Sequence, residues 1–98
     1  MSSRLIETLK GKGDIFKGEA RAGRVEFHIE RYQRMIDDTL PSGIEEFRGR
    51  IWCDPSLMYR LMEAKMLTLH LETGRQANIM VEDMDGNIKV SGPIMPKV

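Results

Sequence analysis

The chain has 98 residues, enough for one domain built around a single core. A hydrophobic fraction of 41% can support that core, and 31% charged residues suit an ordinary solvated surface. Fifteen basic and fifteen acidic side chains cancel, which excludes a global field that draws nucleic acid or anionic lipid to the whole molecule.

The start, Met1-Ser2-Ser3-Arg4, lacks the apolar run of a signal peptide, and no stretch approaches a membrane span. A single cysteine, Cys53, excludes an internal disulfide and fits a reducing compartment, so a cytoplasmic location is expected. Residues 1–13 form a lead-in in which Leu5, Ile6 and Leu9 line one face of a short helix ended by Gly11 and Gly13. A first strand is expected over 15–21 and a second over 24–35, joined by a turn at Ala22-Gly23. That turn sets Ala20 against Val25, Gly18 against Phe27 and Phe16 against Ile29, with the Phe27 ring covering bare glycine backbone. Between Asp37 and Glu46, Pro41, Gly43 and four carboxylates interrupt the pattern. A loop is expected there, long enough for the next strand to pair elsewhere in the sheet.

The third strand, over 45–53, places Phe47, Ile51 and Cys53 on one side and Arg48, Arg50 and Trp52 on the other. Asp54-Pro55-Ser56 is a helix start, and Leu57, Met58, Leu61 and Met62 give an apolar stripe up to about Lys65. The chain then extends again at Met66. Gly74 suits the left-handed position of a three-residue hairpin loop, a register that opposes Leu67 to Ile79, Thr68 to Asn78, Leu69 to Ala77 and His70 to Gln76. In the next hairpin, Asp85-Gly86 suggests a two-residue turn that sets Val81 against Val90 and Glu82 against Lys89. Pro93 and Pro96 mark residues 93–98 as an irregular tail, leaving 14–92 as the single barrel-like domain.

The expected architecture is therefore mainly β: six antiparallel strands forming a small barrel or curled sheet, with one short helix between strands three and four. Over residues 14–83 the order of three strands, helix and two strands resembles that of an oligonucleotide- or oligosaccharide-binding barrel. The sixth strand departs from that five-stranded pattern.

No set of reactive groups converges in the sequence. His28 and His70 lack partners at metal-ligand spacing, and alternation places Cys53 on the side opposite both, so no metal, cofactor or catalytic site is expected. The carboxylates around Asp37 and Glu46 lack calcium-loop spacing. Two surfaces remain. Arg48, Arg50 and Trp52 project from one strand face, where guanidinium groups can neutralise phosphates and an indole can stack on a base. His70 is a further candidate ligand contact. Met66 faces Met80 across two strands and adjoins Met58 and Met62 on the helix, which makes either a minor core or a partner surface. The sequence favours a non-enzymatic protein-interaction module, self-associating or docking another protein. Its alternative is a barrel for single-stranded nucleic acid or an anionic ligand.

Overall fold

The computed structural model describes residues 3–37 and 40–96. Six antiparallel strands close into a barrel in the order β1-β2-β3-β6-β5-β4: β1 Ser3–Lys17, β2 Ala20–Met35, β3 Pro41–Trp52, β4 Leu67–Leu71, β5 Arg75–Val81 and β6 Asn87–Pro96. One helix, α1, spans Pro55–Glu63 between β3 and β4. The added strand β6 stands between β3 and β5, so the ring differs from a five-stranded barrel at its last seam.

Odd-numbered residues from Leu67 to Val81 face inward on both strands of the β4–β5 hairpin. Leu69 and Ile79 are fully buried at the centre of a core that also holds Ile15, Ile29 and Ile51. The expected β4–β5 register is found residue for residue, with Gly74 at φ +89° and its N–H donating to the Leu71 carbonyl at 2.9 Å. Alternation on β3 is likewise as expected: Ile51 is buried, whereas Arg48, Arg50 and Trp52 face out.

Helix α1 lids one end of the barrel. Asp54 caps it by accepting from the Leu57 N–H at 3.0 Å and the Ser56 hydroxyl at 2.6 Å, contacts that hold its carboxyl below the usual aspartate range. Leu57, Met58 and Leu61 point into the core.

The expected elements are corrected in four places, the first being the N-terminal hairpin. The lead-in is not helical, because residues 3–17 form one long strand in which Leu9, Gly11, Gly13 and Ile15 alternate with outward side chains. The first turn is Gly18-Glu19, with Gly18 at φ +63° and Lys17 opposite Ala20, so it is Gly11 that lies beneath Phe27. Phe16 consequently faces outward. Gly23 instead sits in β2 where Leu57 presses down: a Cβ there would meet Leu57 Cδ2 at 2.6 Å. Its small size serves the helix contact, not a turn. Second, the expected loop is mostly strand, since β3 begins at Pro41 and pairs directly with β2 from Pro41 to Trp52. Asp38 and Thr39 of that segment lie outside the described residues. Third, the last hairpin turns through Asp83–Gly86, with Gly86 N–H donating to the Asp83 carbonyl at 3.1 Å. This moves the register by two residues, to Val81 opposite Ile88 and Met80 opposite Lys89, which preserves the inward face. Asp83 stabilises the wider turn by accepting from the Asp85 and Asn87 amides. Fourth, the tail is strand through Pro96; residues 97 and 98 lie outside the described residues.

The ring is held unevenly. Among the described residues, β1 meets β4 over Gly13–Phe16 only, and β3 meets β6 only at Gly49–Ile88 and Arg50–Asn87. Beyond these seams the long strands extend past the barrel, giving extents of 44 × 30 × 22 Å. At this open end an ion-pair chain links four strands. Arg75 on β5 donates to Glu7 on β1 at 2.9 Å, Glu7 lies 3.6 Å from Arg31 on β2, and Arg31 grips Glu45 on β3 with two nitrogens.

The hydrogen bond from Arg75 holds the Glu7 carboxyl below its ordinary value, and that from Arg31 does the same for Glu45. A carboxylate depressed in the folded state stabilises the fold above its unfolded value, roughly pH 4.3, and the benefit is lost as pH falls through the folded value. Glu7→Gln is therefore expected to lower the melting temperature near neutral pH and to converge with the parent progressively as the pH falls below that unfolded value. Thermal melts across that range check it; a gap that stays constant with pH removes the role assigned to Glu7.

Candidate functional site

The β1–β2 and β2–β3 registers together fix a pattern on the outer face of the three long strands. Cross-strand rows read Lys12–Glu26–Trp52, Lys10–His28–Arg50 and Thr8–Glu30–Arg48. Trp52 is 43% exposed at the end of β3. The Arg50 guanidinium lies over its indole, 5.4 Å from the ring centroid, and Arg50 Nε donates to the Asp85 carbonyl at 2.8 Å. The docked Asp83–Gly86 turn thus orients the arginine against the tryptophan.

A second unit of the same kind stands further along the face. Arg48 lies 5.0 Å over the Tyr32 ring, and the Tyr32 hydroxyl donates to Glu30 at 3.1 Å. Desolvation, reinforced by Glu30, raises the phenol above its ordinary value, so it stays neutral. The two aromatic groups are six residues apart along β2, since Glu26 is the residue opposite Trp52. This corresponds to about 20 Å at the usual strand rise.

Ion pairing leaves the basic side chains of this face unused, as it does Lys17, Arg60, Lys65 and Lys89 elsewhere among the described residues. Among the described residues, ion pairs engage Arg21, Arg24, Arg31, Arg34 and Arg75, while Lys10, Lys12, Arg48 and Arg50 enter none. These four cations against Glu26 and Glu30 leave the three rows at +2 within a neutral chain. A groove of about 520 Å³ runs between Lys10, Lys12, Phe27, His28 and Trp52. Comparison with family models, curated proteins and solved structures finds no match.

The structure brings Arg48, Arg50 and Trp52 together, but not His70. That imidazole is stacked on outward-facing Phe16, with ring centroids 4.3 Å apart, on β4 and separated from β3 by β1 and β2. The four methionines do not form one surface either. Met58 is 4% exposed inside the main core, and Met80 is half-buried, while Met66 is 52% exposed beyond the start of β4. Met62 is also exposed. Met58 is thereby removed from the partner surface, because the inward helix stripe at Leu57, Met58 and Leu61 claims it.

Lys10 and Lys12 join the site only once β1 is a strand, and His28 and Tyr32 only once β2 pairs with β3. The available signal was the alternation of Leu9, Gly11, Gly13 and Ile15 with Lys10, Lys12 and Asp14, which the helical spacing of Leu5, Ile6 and Leu9 obscures. Cys53, next to the tryptophan, is half-buried, and burial followed by the Asp54 charge raises its thiol. Such a thiol is a poor nucleophile at neutral pH. Among the described residues no three His, Cys, Asp or Glu side chains come together to hold a metal, and no helix is long and apolar enough to cross a membrane.

Proposed function

We propose that the protein is a non-enzymatic, cytoplasmic domain that binds single-stranded nucleic acid across the outer face of β1, β2 and β3. The observation that carries this reading is the exposed Trp52 ring beside an arginine with no acidic partner among the described residues, repeated by Tyr32 and Arg48. Bases of any sequence offer a flat surface to such rings, and the flanking lysines match a phosphate backbone. The twisted, shallow face suits a flexible single strand better than a rigid duplex. The reducing compartment is supported by the lone cysteine. A methionine-lined protein interface loses ground, because one of its four members is in the core.

Trp52 is the only tryptophan, so its emission reports on the site directly. Titration with an oligothymidine of about eight nucleotides, within the range used by single barrels, is expected to quench it at low salt. Engagement of up to four cations gives a slope of log affinity against log salt of roughly −2 to −3. Unchanged emission at saturating oligonucleotide in low salt ends this assignment.

A further inference from the structure

The seam between β3 and β6 has an unusual construction. Among the described residues its ladder holds only Gly49–Ile88 and Arg50–Asn87, yet both strands continue well past it. Over Pro41–Arg48 the partner of β3 is β2 alone, and over the continuation of β6 from Lys89 the partner is β5 alone. Two strand edges therefore diverge from a common point and enclose a groove of about 530 Å³.

Backbone alternation shows what these edges offer. Ile51 N–H donates to Gly86 on the β6 side at 2.8 Å, so the peptide groups two and three alternate steps back, at Phe47 and Glu45, point the same way. On β6 the Asn87 carbonyl accepts from Glu82 on the β5 side, so Ile88 and Val90 turn theirs toward β3. Amides and carbonyls of Phe47 and Val90 thus face each other across the groove without a ladder between them.

The side chains give the groove a definite chemistry. Phe47 and Val90 are half-buried against the core and form an apolar floor. Arg48 and Lys89 line the outer level, and neither has an ion-pair partner among the described residues. The groove's own carboxylates are already neutralised, Glu45 by Arg31 and Glu46 by Arg34 at 3.3 Å. We infer that this gap is a binding site for an extended peptide of a protein partner, added as a strand between β3 and β6, with apolar and acidic side chains in alternation. Main-chain bonds to two edges supply affinity, the apolar positions settle on Phe47 and Val90, and the acidic positions meet Arg48 and Lys89. A flat exposed edge invites unspecific pairing; an edge recessed in a charged groove selects.

The test uses the full isotopically labelled chain and two pools of peptides about eight residues long, matching the free part of β3. One pool alternates Val, Ile or Leu with Asp or Glu; the other replaces the acids with Lys or Arg. The acidic pool is expected to slow amide exchange at Phe47 and Val90 and to bind about tenfold tighter than the basic pool. Lys89→Glu, an exposed substitution expected to leave circular dichroism unchanged, should abolish or invert that preference. Equal binding of both pools overturns the inference, as does protection elsewhere on the sheet or none at Phe47 and Val90. Protection of the same amides without peptide, accompanied by doubled solution mass, assigns the gap to a second copy and overturns it equally.

Discussion

Replacing Gly86 with alanine is expected to destabilise the protein by roughly 2–4 kcal/mol, a large share of the 5–15 kcal/mol that typically holds a domain together. Two independent costs combine at this residue. Its φ of +89° is a region that a side chain occupies at roughly 1 kcal/mol or more. In addition, the new Cβ would stand 2.0 Å from the Ile51 carbonyl oxygen and 3.0 Å from Met58 Cε. Relief requires the turn to lift off β3, which forfeits the Ile51-to-Gly86 hydrogen bond, worth about 1 kcal/mol, and opens the core at Met58. For a chain of this size the melting temperature should fall by roughly 10–20 °C.

Gly18→Ala is the informative control. Gly18 also has positive φ, at +63°, but nothing lies within 4 Å of the position its Cβ would take. That variant should lose only the backbone contribution, about 1 kcal/mol. Equal losses for the two variants refute the docked-turn account. The same turn carries the Asp85 carbonyl that holds Arg50, so Gly86→Ala should also shift Trp52 emission before any ligand is added.

These two glycines also show why parts of the fold are legible in the sequence and others are not. The β4–β5 hairpin is short, and its alternating Leu67, Leu69, Ala77 and Ile79 agree with the only loop that Gly74 favours, so local information suffices. In the first hairpin Gly18 and Gly23 compete as turn signals. What decides between them is Leu57 pressing on Gly23 from a helix more than thirty residues away, a tertiary demand with no local signature. At Asp85-Gly86 the turn signal is genuine, but Asp83 accepts two amides and widens the turn, shifting the register while sparing the face.

The site divides along the same line. Arg48, Arg50 and Trp52 share a face by strand alternation alone, hence their visibility. Lys10 and His28 align with Arg50 only through two long-range registers, and Met58 separates from Met66 only once the helix is seated. The open seam between β3 and β6 is less legible still, because it depends on where two strands stop pairing.

The sharpest expectation for function is that Trp52→Ala weakens binding of a single-stranded oligonucleotide by about 5- to 150-fold, the range of one lost base-stacking contact. Because Trp52 is 43% exposed and outside the core, the same substitution should cost folding stability roughly 1 kcal/mol, well short of the roughly 3–5 kcal/mol of a core tryptophan. Stability and binding therefore separate, which they would not if the indole were chiefly a cover for the barrel. Trp52→Phe keeps a stacking face and should recover most of the affinity. Lys10→Ala should act differently: it removes one phosphate contact, weakening binding at low salt and reducing the salt slope by about 0.7, with little effect at high salt. A ring that binds bases and a lysine that binds phosphate must show these opposite salt signatures. If both variants change affinity by the same factor at every salt concentration, the outer face of β1–β3 acts through general charge and shape, and the division of labour between Trp52 and the lysines fails.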